Sequence, residues 1–186
     1  MLFGRSVSTV LLPAWSGILL MVWGSIALAA PAKTPEEVCA SLPPARAQVV
    51  ADWARPAQEI KPLSRPEGDA PVLAGSKYML TLLPYEDVKL VMPEKPIHLL
   101  KYAGLLSFTV DKSGLYRFST APYVWLELVP ADGSGKEPGV RGSEIRLLAC
   151  SSIKKNVVFE LEPGRYWLQM SGSLEADVQL MISAPE

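Results

Sequence analysis

The sequence predicts a mainly β protein: an antiparallel β-sandwich of jelly-roll-like type, preceded by a short helical, Pro-rich segment. Three observations carry this reading. From about residue 72, apolar and polar residues alternate with period two in short runs. Clusters of Gly, Pro, Asp and Ser separate the runs. No long helical pattern follows residue 60. Eight or nine such runs in this span read as an antiparallel sandwich or barrel.

The chain opens with one charge, Arg5, followed by 27 uncharged residues from Ser6 to Ala32. Ile18–Trp23 and Ile26–Leu28 form an apolar core that ends in Ala27-Leu28-Ala29. A charged start, an apolar middle and a small-x-small end read as a secretory signal peptide over residues 1–29. The alternative is an uncleaved anchor, since the run is long enough to span a bilayer. Cleavage leaves residues 30–186, with 17 basic and 19 acidic side chains and no membrane span. The expected location is the periplasm or the exterior.

Residues 30–69 are the Pro-rich, partly helical segment, and residues 70–186 are the sandwich domain. Thr34-Pro35-Glu36-Glu37 has the marks of a helix start: an N-capping Thr, Pro at the first helical position and Glu at the third. Pro43-Pro44 stops that turn, and Ala45–Ala54 reads as a second short helix ended by Pro56. Prolines at 56, 62, 66 and 71 make the next stretch extended, laid along the domain or poorly ordered. Expected strands are 78–83, 88–92, 105–110, 115–120, 123–129, 145–150, 157–161, 166–170 and 178–182. Residues 130–143 read as a Gly/Pro-rich loop, Asp111–Gly114 as a four-residue hairpin turn and Glu162–Arg165 as a turn with Pro and Gly in type II positions.

A motif recurs. Gly114-Leu-Tyr116 and Gly164-Arg-Tyr166 both place a turn Gly two residues before a Tyr, with an offset of 50. Gly75-Ser-Lys-Tyr78 is a looser third copy. These hairpins, especially Leu161-Glu-Pro-Gly-Arg-Tyr-Trp-Leu168, resemble those of bacterial pre-peptidase C-terminal-type sandwiches over residues 104–183. The resemblance implies a secreted, non-catalytic binding or accessory module. This chain differs in carrying its own N-terminal segment and Cys150.

Composition excludes several functions. The net charge of −1 favours neither nucleic acid nor an anionic membrane surface. A mean hydropathy of +0.19 excludes a disordered polyelectrolyte. One His and two Cys are too few for a zinc or blue-copper site within one chain, so no metal or cofactor is implied. No G-x-S-x-G elbow occurs, and His98 is the sole imidazole base. A Cys150–His98 dyad requires Cys150 to be reduced. No catalytic residue is assigned. In an exported protein the even cysteine count suggests one disulfide, Cys39–Cys150, stapling the N-terminal segment to the sheet. The alternative is two buried thiols.

What remains is an aromatic face. If Val124, Leu126 and Leu128 point inward, Tyr123 and Trp125 point away, and Trp167 does the same beside Tyr166 and Leu168. Tyr123, Trp125 and Trp167 on one sheet would form a flat contact surface for a protein partner or a glycan. The alternative is that the N-terminal segment, with Trp53, covers this face. Lys154-Lys155 reads as a solvated charge on an edge strand. The expected function is a non-catalytic exported binding or accessory protein. A carbohydrate-binding protein and a small periplasmic enzyme are the alternatives.

Overall fold

Alternation with punctuating turns produces two packed sheets, as expected. The computed structural model describes residues 34–92, 101–134, 138–144 and 150–183. The expected signal peptide, His98 and most of the expected strand 145–150 lie outside the described residues.

The elements are α1 (Pro35–Ala40), α2 (Pro44–Trp53), β1 (Gln58–Glu59), β2 (Pro71–Val72), β3 (Ser76–Thr81), β4 (Leu83–Pro84), β5 (Tyr102–Val110), β6 (Gly114–Ala121), β7 (Trp125–Pro130), β8 (Gly139–Glu144), β9 (Lys155–Leu161), β10 (Gly164–Ser173) and β11 (Asp177–Ile182). One sheet runs β1-β3-β11-β6-β9-β8. The other runs β2-β5-β10-β7, with β4 also paired to β5. From β5 to β11 the chain changes sheet at every connection except the β8–β9 hairpin. This is the alternation of a jelly roll.

Inward-facing residues from both sheets form one core. Phe108 of β5 meets Tyr116 and Phe118 of β6 edge-on, with ring centroids 5.6 and 5.5 Å apart. Phe118 meets Phe159 of β9 the same way at 5.5 Å. Edge-to-face aromatic pairs stabilise beyond the area they bury, by about 0.5–1.5 kcal/mol each.

The hairpins expected at the recurring Gly–Tyr motif do not form, because β5 and β6, like β9 and β10, lie in different sheets; the motif instead closes the corners between them. The Tyr116 hydroxyl donates to the Lys112 carbonyl at 2.8 Å. The Tyr166 hydroxyl donates to the Glu162 carbonyl at 2.9 Å. Each buried ring thus ties its strand back to the turn four residues earlier. The looser copy differs: the Tyr78 hydroxyl accepts from the Leu73 amide at 2.8 Å, across a turn in which Gly75 has φ +81°.

The Pro-rich stretch is laid along the domain and closes one side of it. β1 adds in parallel to β3, and β2 adds in parallel to β5. Between them Leu63 exchanges two backbone hydrogen bonds with Leu105, at 2.8 and 3.0 Å. The six-stranded sheet thus starts at Gln58, ahead of residue 70. Pro62 presses so closely on β5 that a Cβ on Gly104 would lie 2.7 Å from the Pro62 Cβ.

The N-terminal helices are held by covalent and non-covalent contacts. Thr34 and Glu37 form the expected capping box on α1, and Cys39 is bonded to Cys150 with a Cα–Cα distance of 5.5 Å. Trp53 at the end of α2 is buried against Ile153 and Met181 on the outer face of the six-stranded sheet. Its indole N–H donates to Ser152 Oγ at 2.9 Å. The Lys77 ammonium lies 4.6 Å from the Trp53 ring centroid and donates to the Trp53 carbonyl at 2.5 Å, so a cation closes the helix C-terminus.

Two strand expectations are corrected. Val88–Met92 alternates but forms no strand; a 3-10 turn over Tyr85–Asp87 leads into it. The side of β5 away from β10 is already occupied by β2, β4 and Leu63, and the Met92 backbone bonds the Gln169 side chain instead of a strand edge. Conversely, the expected loop 130–143 contains most of β8, because β9 supplies a hydrogen-bonding edge that local sequence does not reveal.

Two substitutions check these contacts. Gly104→Ala should lower stability by about 1–3 kcal/mol, since the Pro62 ring must move, measured by urea unfolding. Cys39→Ser should lower it by up to about 4–5 kcal/mol, the chain-entropy value for a loop of this length, in the same assay.

Candidate functional site

The outer face of the five-stranded sheet carries the residues singled out from sequence, and β7 and β10 place them in two separate groups. Trp125 pairs with Ser171, whereas Trp167 pairs with Val129. Four residues along β10 separate the two positions, about 13 Å at the usual strand rise. The expected continuous aromatic plane is therefore absent.

The first group sits at the start of β7. Tyr123 and Trp125 meet edge-on with centroids 6.1 Å apart. Trp125 is 43% exposed, and Tyr123 is half-buried. Below them lies Lys155, whose ammonium is 4.7 Å from the Tyr123 centroid and 4.3 Å from that of Trp125. It also donates to the Val124 carbonyl at 3.1 Å. Lys155 is only 2% exposed, which corrects its reading as a solvated edge charge. β9 lies between β6 and β8, and Lys155 continues the inward line of Val157, Phe159 and Leu161. That alternation was the available signal. The side chain reaches from one sheet to the first residues of β7 in the other, joining them at the end of the sandwich. Burial pulls its pKa down to about 8, while the Glu127 carboxylate acts the opposite way. Burial also raises the Tyr123 hydroxyl.

Between the groups the face is polar and covered. Gln169 is fully buried; its amide accepts from the Met92 N–H at 3.1 Å and donates to the Met92 carbonyl at 2.9 Å. It donates to Glu127 as well, at 2.6 Å. The segment ending at Met92, expected as a strand, therefore lies over this face instead. The alternative covering, by Trp53, is not what the fold does: Trp53 sits on the other sheet.

The second group surrounds Trp167, which is buried at 8% exposure and so is not an open platform. The Arg165 guanidinium lies 5.1 Å from its ring centroid. Arg165 Nη2 donates to the Gly68 carbonyl at 3.2 Å and to Asp69 Oδ1 at 3.3 Å. Asp69 Oδ1 also accepts from Ser107 Oγ at 2.5 Å, which anchors the pair to β5.

Cys150 is half of the disulfide and carries no thiolate, so the Cys150–His98 dyad is not formed in this state. Among the described residues, no three His, Cys, Asp or Glu side chains converge as a metal site, and no helix is long and apolar enough to cross a membrane. Comparison with protein-family models and with curated proteins finds no match.

Lys155 generates a pH prediction. Its folded pKa, about 8, lies below the ordinary 10.5. Between these values the unfolded chain binds a proton that the folded chain has released, so stability rises with pH across this window. Urea midpoints at about pH 7 and about pH 9.5 should show this rise, and Lys155→Met should reduce it to the smaller part that Lys77 contributes, since burial lowers that ammonium's pKa too. The upper point stays below the phenol range, where the raised Tyr123 pKa acts in the opposite direction.

Proposed function

We propose that the mature chain is an exported, non-catalytic binding or accessory protein that meets a protein partner through Trp125. The observation that carries this is the indole itself: 43% exposed, and held in place by the Tyr123 ring and the Lys155 ammonium. A large aromatic side chain exposed yet already ordered loses little conformational freedom on association and makes a good anchor. The Cys39–Cys150 disulfide supports export, since such bonds persist in oxidising compartments. The apolar, uncharged start of the chain supports it independently. A second reading, recognition of a carbohydrate, is favoured by the surroundings of Trp167 rather than by Trp125.

The test starts from protein recovered from its host's envelope. Its mass should begin at Ala30 and be lighter by two hydrogens for the disulfide. An intact Met1 or two free thiols would overturn export. Immobilised protein should retain a partner that Trp125→Ala does not, while the substitution costs about 1–2 kcal/mol of stability through the lost cation–π contact. Equal retention by both forms would remove Trp125 from the interface. Quenching of tryptophan fluorescence by soluble glycans, without protein retention, would move the assignment to the carbohydrate reading.

A further inference from the structure

At the opposite end of β10 from Trp125, a depression of about 480 Å³ opens between the Pro-rich segment, the residues after β7 and the β9–β10 turn. That volume falls within the roughly 300–1,000 Å³ of small-molecule sites. Its walls mix polar and apolar surface: Pro66, Pro130 and Pro163 line it, beside the largely buried Tyr166 and Trp167. Two charged groups line it, Arg165 and Asp132. Among the described residues both side-chain hydrogen bonds of Arg165 leave from Nη2, which leaves Nη1 and Nε as donors for a ligand. Asp132 is exposed, and its Oδ1 accepts from the Ser134 amide at 2.9 Å. Bonds from Ser134 hold its carboxyl below the usual carboxylate range, so it is a permanent acceptor at neutral pH.

We infer that this depression binds a neutral saccharide ring. A pyranose has a C–H face and a rim of hydroxyls that both donate and accept. The three proline rings suit the face; a guanidinium fork and a carboxylate suit the rim. The charges select against other small ligands. Arg165 and Asp132 cancel, and Asp69, beside Arg165, further disfavours an anion. The inference rests on the reading of the chain as a binding protein, but uses nothing of the Trp125 surface.

The test is a titration of the intact, disulfide-bonded, ¹⁵N-labelled protein with the methyl glycosides of glucose, mannose, galactose and N-acetylglucosamine. At least one should shift the Trp167 indole N–H and the Gly164 and Ala131 amides. Asp132→Ala, at an exposed position that should leave the fold intact, should weaken that binding by about tenfold or more, and Trp125→Ala should leave it unchanged. The inference is overturned if none of the four sugars moves these signals. It is also overturned if Asp132→Ala binds as well as the natural chain, or if methyl glucuronide binds better than methyl glucoside. Loss of the protein partner from Trp125→Ala, with or without a sugar response here, reports on the other surface, so the two readings fail separately.

Discussion

The contact of Phe108 with Tyr116 and Phe118 is where the two sheets become one molecule, and the rest of the structure depends on it. β5 and β6 follow one another in sequence but belong to different sheets. Their connection must therefore turn a corner rather than make a flat hairpin. The Tyr116 hydroxyl fastens that corner, and Tyr166 fastens the matching one between β9 and β10. In each case one side chain fills the core with its ring and satisfies a turn carbonyl with its oxygen. Burial of the ring therefore comes without an unpaired polar group, which would offset part of the gain.

With that core in place, the N-terminal segment acts on the loop that leads into β9. Cys39 holds Cys150, the Trp53 indole holds Ser152, and the ring packs on Ile153. Two residues later Lys155 turns inward and crosses to the Val124 carbonyl and the two aromatic rings. The staple and the exposed Trp125 are thus linked through one short stretch of chain. An ammonium in this position is stabilised by two π faces and a carbonyl, and opposed by its own desolvation. Burial lowers its pKa, against the pull of the Glu127 carboxylate.

The outer face of the five-stranded sheet illustrates how burial redistributes chemistry. Alternation puts Trp125, Trp167 and Gln169 on one side of the sheet, as expected. What covers each of them differs. Met92 covers Gln169 through backbone hydrogen bonds, Arg165 lies over Trp167, and Lys155 supports Trp125 while leaving it exposed. One expected platform thus becomes two distinct surface environments. One is aromatic and cationic; the other is an amphiphilic depression with balanced charge.

The sequence by itself determined the fold class, most strand positions, the capped α1 and the cysteine pairing available to the chain. Those features are local or combinatorial: period-two alternation, a capping box, a turn Gly before Tyr, and two cysteines with one possible partner each. Tertiary structure alone decided which edges were free. That is why Val88–Met92 is not a strand, and why β8 forms inside an apparent loop. It alone placed Trp53 on the six-stranded sheet rather than over the aromatic face. Lys155 lies between the two cases: alternation pointed it inward, but only the sheet order made β9 an interior strand and brought Tyr123 and Trp125 to meet it. The physical reason is common to all of these. Alternation specifies which side chains share a face, whereas a hydrogen-bonding edge, a covering segment or a counter-group comes from chain far away in sequence.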